Sequence, residues 1–533
     1  MADAERHVYL IGCGPNDAVV GGVDELGFKA YNLARLARLG VPVPPAFVLG
    51  TSWCRAFRTS DGQLPQDTSA ELIAALRYVE VASGLTFGST RRPLLVSVRS
   101  GAPVSMPGMM DTILNVGLTE ATLPGLLRLT GNPRLVWDSY RRLIEAYAET
   151  VAGLGAETFA AARREAMVEA GVASQQELDF RALRALAAHE LELYAAVAGQ
   201  PFPQSPLEQL EQAAVAVLRS WDSTRARWYR SAHGLDDDVG TAVTVQRMVF
   251  GNAGGTSGAG VGFTRNPASG VAELYLDYAA NAQGEDVVAG RTEVAGRVGV
   301  DRLPPGVHDE LVELSALLEH EFRDAQEFEF TVENGELFVL QTRDAKRTPL
   351  ASVAIAVALA EAGLVSPAEA RARVAALEPS QLETLELEGS AATEPLATGV
   401  PASVGVATGV AMFEPARAIE RARGGEPVIL LREDIATADI AALEAAAGFV
   451  AARGARTSHA AVVARQLGKA CIVGCAGLEV DAGRRSGRLS GQVVAEGEAL
   501  TIDAGSGRIY AGRLPVVRRR PEALFKRLVA LGA

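Results

Sequence analysis

Lysine is almost missing from this chain of 533 residues. Lys29, Lys346, Lys469 and Lys526 are the only four among 51 basic residues. Arginine serves wherever a positive charge suffices, so a retained lysine marks a place for a compact ammonium group, and Lys29 stands out. Cysteine is equally scarce. Cys13, Cys54, Cys471 and Cys475 make no disulfide framework and fit a reducing compartment. Cys471 and Cys475 have a three-residue gap and no companion pair, which argues against zinc. No apolar run reaches the ~18 residues of a membrane helix. The nearest, 351–360, stops at Glu361. The first residues, Met-Ala-Asp-Ala-Glu-Arg-His, lack a signal peptide's apolar stretch, so a cytoplasmic protein is expected. Positive charge is not in excess: the net charge of −13 disfavours a nucleic-acid partner. The patch Arg518-Arg519-Arg520 reads as part of a solvated tail.

What is present is ordinary for a globular protein, with 48% hydrophobic and 22% charged residues. The length suggests about three or four domains, and no internal repeat is evident. Residues 27–40 read as an amphipathic helix ended by Gly40, followed by an extended Val41-Pro42-Val43-Pro44-Pro45. Leu94 to Val98 reads as a strand, and residues 134–230 as mostly helical with a break near Pro201. Strands surround a glycine-rich loop in 242–279. A helix fits 306–323, a hairpin 325–343, and helices 350–376. Residues 377–400 are acidic and read as an irregular linker. Strands and helices then alternate from about 402 to 512, as in a compact α/β unit.

Within that unit lies Gly454-Ala455-Arg456-Thr457-Ser458-His459-Ala460-Ala461-Val462-Val463-Ala464-Arg465. It follows the strand-like Gly448 to Ala452 and opens a helix closed at Gly468. Thr457 or Ser458 can cap the helix, which puts His459 in its first turn, beside free N–H groups and the positive end of the dipole. A neutral histidine there can act as a nucleophile, and a phosphoryl group on it would meet donors. The spacing alone is equally compatible with a helix-start histidine that has no chemistry.

Two other regions carry phosphate chemistry in their residue types. The strand at 94–98 delivers Arg99 to a loop with Gly101 and Gly108, where backbone N–H groups can approach phosphates beside an arginine clamp. A surface turn is the plain alternative. In the hairpin, Asn334-Gly335 suggests a two-residue turn, which would separate the polar residues of its two strands. A three-residue loop, Glu333-Asn334-Gly335, would gather Glu327, Glu329, Gln341 and Arg343 on one face and Phe328, Phe330, Phe338 and Leu340 on the other. Carboxylate and amide oxygens suit Mg²⁺, and Arg343 suits a polyphosphate. A charged solvent face is the alternative.

These strings together resemble the pyruvate phosphate dikinase family, whose relatives include phosphoenolpyruvate synthase and enzyme I of the sugar phosphotransferase system. Thr457-Ser458-His459-Ala460-Ala461 is similar to the family's phosphohistidine motif, and Gly468 to Cys475 continues the dikinase version. Residues 94–115, Leu26 to Ala34, 244–267 and Asn281 to Gly290 resemble its ATP-grasp domain. The implied architecture is multidomain, α/β and α+β. An ATP-grasp-type region spans 1–345 with a helical insertion at about 120–235. A helical segment and linker follow at 346–400, then a swivelling phosphohistidine domain at 401–515 and a basic tail at 516–533.

The resemblance implies that Lys29, Arg99, Gly101, Gly108, Gln246, Met248, Glu327 and Arg343 bind ATP, that Glu329 and Gln341 hold Mg²⁺, and that Arg99, Arg343 and His459 are catalytic. Three departures are visible. Glu327 replaces an aspartate, Gly454-Ala455-Arg456 replaces Gly-Gly-Met and stiffens the loop, and Ala451-Ala452-Arg453 replaces Thr-Ala-Arg.

In the family, MgATP phosphorylates the histidine with release of AMP, inorganic phosphate is a second substrate, and a C-terminal barrel binds pyruvate and phosphoenolpyruvate. The chain has no segment resembling that barrel, so the expectation is an ATP half-reaction completed on a separate barrel protein. Other readings are transfer to a different small molecule, as in rifampicin phosphotransferases, and a non-catalytic regulatory paralogue. The sequence leaves the acceptor and the oligomeric state open.

Overall fold

The computed structural model describes residues 7–12, 21–65, 67–104, 106, 112–288, 302–388, 393–435 and 439–531. Gly108 and Cys13 lie outside the described residues, as do Ala289 and Gly290. The chain forms two compact units, Met1–Gly254 with Phe338–Thr342, and Gly255–Leu337 with Arg343–Ala533. The division falls inside the segment 1–345 that the sequence reading treats as one domain. It does so because the strands after Gly254 share an apolar cluster with the helices at 349–374.

The first unit is built on a five-stranded antiparallel sheet. Its order is Val8–Ile11, Ala46–Leu49, Ala242–Arg247, Val96–Gly101, Thr112–Val116. The first helix runs Val23–Arg38, earlier than the sequence suggests, and is broken at Gly27 (φ 73°, ψ 156°). Between the strands of this unit lie the helices Pro133–Thr150, Ala156–Ala170, Phe180–Ala198, Pro206–Ser220 and Thr224–Ala232. Proline at the first turn and Asn132, Asp179, Ser205 and Ser223 as caps set several of their starts. Phe202, from the Pro201–Pro203 break, is buried edge-on between Tyr147 and Tyr194, with ring centroids at 5.2 and 5.3 Å.

The second unit holds two principal sheets. The first has the order Glu336–Asp344, whose residues Phe338–Thr342 count with the first unit, then Gln326–Glu333, Gly258–Phe263, Tyr275–Ala280, which leaves Tyr275–Ala280 at an edge. Gly260 and Gly262 are glycines for lack of space, since a Cβ at either would run into the rings of Phe330 and Phe328. The second sheet has eight strands. At its centre Val406–Met412, Val428–Arg432, Gly448–Ala451 and Ala470–Val473 run parallel. Alternate residues feed two cores. Leu430, Phe449 and Cys471 face one, with Ala442 and Ala461 from helices. Ile429, Val450 and Ile472 face the other, with Leu489 and Val494 from a small three-stranded sheet.

Two expectations change here. Part of the acidic linker is regular: Thr384–Leu387 pairs antiparallel with Val516–Arg519. The basic tail is therefore no loose tail. Arg518 and Arg519 face Glu383 and Glu386, at 3.2 and 3.5 Å. Helix Glu522–Ala530 lays Leu524, Phe525 and Leu528 against the cluster of helix Pro349–Glu361. Arg527 clasps Glu361 with both Nε and Nη2, at 3.0 and 2.6 Å.

Candidate active site

Two backbones approach each other closely in the first unit. A Cβ at Gly27 would overlap the Gly101 carbonyl oxygen, and Phe28 N–H donates to the Ala102 carbonyl at 2.9 Å. The helix that bears Lys29 is thus tied to the end of the strand that bears Arg99. Arg99 sits opposite Thr112 and Thr244 in its two neighbours, and Gly101 N–H donates to Thr241 Oγ1 at 3.2 Å. The Gln246 side chain is buried and donates to the Pro44 carbonyl at 3.1 Å, an anchoring bond for the extended proline segment. Met248 is half-buried on the apolar core, and its N–H donates to the Leu95 carbonyl at 2.9 Å. Gln341 is buried, and the neighbouring Thr342 carbonyl accepts from Asn32 Nδ2 at 3.3 Å.

In the second unit the hairpin turn is the two-residue Asn334-Gly335, with φ of 53° and 88°. Both values are positive, as a type I′ turn requires. The three-residue loop is therefore corrected, and so is the face it assigned. Leu337, Val339, Gln341 and Thr342 are the buried residues of their strand, while Phe338 and Leu340 are half-buried. At the open end the pairing differs. Ala345 N–H donates to the Ala325 carbonyl at 3.0 Å, and Arg343 forms an ion pair with Glu327. Odd residues meet odd residues there, which the turn alone forbids, so the pairing slips by one residue between the two ends.

Glu327 and Glu329 project from one face of Gln326–Glu333, the first buried and the second half-buried. Burial works against the Arg343 charge, but Glu327, with Glu329 behind it, holds that charge firmly.

Helix His459–Leu467 begins as the sequence suggests. Ser458 is the cap, its hydroxyl accepting from Ala461 N–H at 3.5 Å, and Gly468 (φ 63°) ends the helix. His459 is the first helical residue; its side chain lies outside the described residues.

The loop before it is pinned to the edge strand Tyr275–Ala280. Thr457 N–H donates to Asp277 Oδ2 at 2.8 Å. Arg456 Nε donates to Asp277 Oδ1 at 3.2 Å, and its Nη2 to the Leu276 carbonyl at 2.8 Å. The Arg456 guanidinium lies 4.4 Å from the Tyr275 ring centroid. Arg465, fully buried, donates to the carbonyls of Arg456 and Ala402 at 2.8 and 3.1 Å and stacks at 5.3 Å from Phe263. Desolvation pushes its pKa down. Asp277 and Arg456 were not singled out from the sequence as a pair.

Two family models match the chain. Residues 58–296 match "Pyruvate phosphate dikinase, AMP/ATP-binding domain", and residues 424–507 match "PEP-utilising enzyme, mobile domain". The chain is 40% identical to a pyruvate, phosphate dikinase of Clostridium symbiosum over 95% of its own length. It is 39% identical to one of Rhizobium meliloti and 40% to pyruvate, phosphate dikinase 2 of Zea mays, each over 96%. It spans 58% of the length of each of these relatives. Over the compared residues the chain is thus similar to pyruvate, phosphate dikinases, through their AMP/ATP-binding and mobile domains.

Proposed function

We propose that the chain performs the ATP half-reaction of a dikinase-type phosphotransfer, with His459 as carrier. The observation that carries this reading is the placement of His459 as first residue of a Ser458-capped helix whose entry loop is bound to the glycine-strand sheet. An imidazole nitrogen of His459 attacks the β-phosphorus of ATP. The bond from that phosphorus to the α,β-bridging oxygen breaks, AMP departs, and the ring gives up its N–H proton. Inorganic phosphate then attacks the terminal phosphorus of the pyrophosphohistidine, releasing pyrophosphate and leaving one phosphoryl group on the ring.

Lys29, Arg99 and Arg343 are assigned to the polyphosphate, and Gly101 to close backbone approach. The resemblance assigns Mg²⁺ to Glu329 and Gln341. Glu329, half-buried, offers a carboxylate of the kind Mg²⁺ takes together with substrate phosphates, whereas the two-residue turn removes the shared face that would have brought Gln341 to it, so Glu329 alone is kept as a donor. When bound, the ion would offset charge on the β- and γ-oxygens. Glu327, committed to Arg343, orients that guanidinium. Onward transfer to pyruvate is assigned to a phosphoenolpyruvate- and pyruvate-binding barrel outside these residues. ATP labelled separately at the β and γ positions tests the scheme. Without phosphate both labels should stay on the protein. With phosphate the γ label should leave as pyrophosphate. Retention of γ without β would overturn the pyrophosphoryl step.

A further inference from the structure

The contacts between the His459 entry loop and the edge strand are polar, apart from the ring of Tyr275 under the Arg456 guanidinium. Yet Asp277 is buried, and its two oxygens are spent on two consecutive residues of the loop. One takes a side-chain donor that carries charge. The other takes a backbone N–H, which fixes the chain itself. Thr457 is two residues from His459, so the carboxylate controls a point at most about 7 Å of chain from the carrier.

The remaining Arg456 bond, to the Leu276 carbonyl, uses the outward hydrogen-bonding edge of the strand. Tyr275 supplies the ring beneath the guanidinium. Three consecutive residues of one strand thus receive two consecutive residues of the loop. A seam of directed polar bonds fixes the position in which one side is held against the other.

We infer that Asp277 and Arg456 are positioning residues for phosphorylation of His459, forming a latch that holds its helix start against the edge of the glycine-strand sheet. The inference rests on the proposed role of His459. Breaking the latch lowers the fraction of molecules docked for transfer and leaves nucleotide affinity alone, so the loss is in rate and not in KM for ATP.

The test uses the full chain as wild type, Asp277→Asn, Arg456→Ala and the double variant. Single-turnover labelling from ATP should slow by about tenfold or more in each single variant, with KM for ATP unchanged. The double variant should be no slower than the slower single one, because both changes remove one contact. Hydrogen exchange of the Thr457 amide should quicken in both single variants; Arg456→Ala, which strands the buried Asp277 carboxylate, should also lower the melting temperature, so labelling is compared at a temperature where every variant is folded. Unchanged exchange and labelling in both variants would overturn the latch, as would a KM effect at unchanged rate. If wild-type protein takes no label, the proposed function fails, and Thr457 exchange alone still decides whether the latch exists.

Discussion

Arg343 and Glu327 form an ion pair in which the carboxylate keeps 3% of its side chain exposed and the guanidinium 30%. The asymmetry sets the outcome of breaking it. Glu327→Ala leaves a largely desolvated guanidinium without its main counter-charge, and loss of one partner of a buried pair typically costs 3–5 kcal/mol. Because Arg343 reaches solvent, about 2 kcal/mol is expected, read as a fall in denaturation midpoint. Glu327→Asp should recover part of that loss. Equal stability of the Ala and Asp variants would show that the carboxylate does not hold Arg343.

His459→Asn should retain the fold and take up no acid-labile, base-stable label from ATP. Persistence of such label would move the carrier elsewhere, since His7, His189, His233, His308 and His320 lie in no matching string.

Gly27→Ala should separate Lys29 from the Gly101 loop. The φ of 73° is unfavourable for alanine, and the new methyl would strike the Gly101 carbonyl. ATP affinity, measured by calorimetry, should drop by about tenfold or more. An unchanged affinity would show that the close approach does not shape the nucleotide site.

Glu190 offers a test by pH. Burial, then the neighbouring Glu145, push its carboxyl well above the usual range, whereas Arg141 and Arg163 overcome burial at Glu145 and lower it. A group that holds its proton more tightly when folded contributes stability at low pH. That contribution is lost as pH climbs from about 4.3, the unfolded value, through the raised folded one. Glu190→Gln removes this slope. Relative to wild type its melting temperature should be similar near pH 4 and higher at pH 8. Greater destabilisation at pH 8 than at pH 4 would contradict the assignment.

The strand pair Thr384–Leu387 with Val516–Arg519 ties together the two connections to the eight-stranded sheet, which bears on any swivel of that part proposed for phosphotransfer. A disulfide between Glu386→Cys and Val517→Cys, which face each other in register, should leave labelling of His459 unchanged. A collapse of labelling on oxidation, reversed by reductant, would mean that the ribbon must open.

Local signals served well wherever an element answers to its own residues. The Ser458 cap, the helix-ending Gly468 and the Asn334-Gly335 turn all act as their chemistry dictates. The error at the hairpin came from overriding that turn to bring Glu327 and Arg343 together. They do meet, but through a slip in pairing that no local residue announces. The tail was misread because Arg518-Arg519-Arg520 masks a strand whose partner lies more than a hundred residues earlier, and because Leu524, Phe525 and Leu528 have no visible core until helix Pro349–Glu361 is in place. Asp277 and Arg456, 179 residues apart, were equally hidden. The one clue was an arginine where the resembling family has methionine.

The composition of the Asp277–Arg456 seam bears on what happens when it parts. A greasy joint, once opened, shows a sticky face to every neighbouring molecule. This joint is mostly two arginines, a carboxylate and backbone groups, which water solvates well, with the Tyr275 and Phe263 rings beneath the guanidinium groups. On the proposed role of His459, a helix leaving this surface would uncover mainly groups that water can take over, not a wide apolar face.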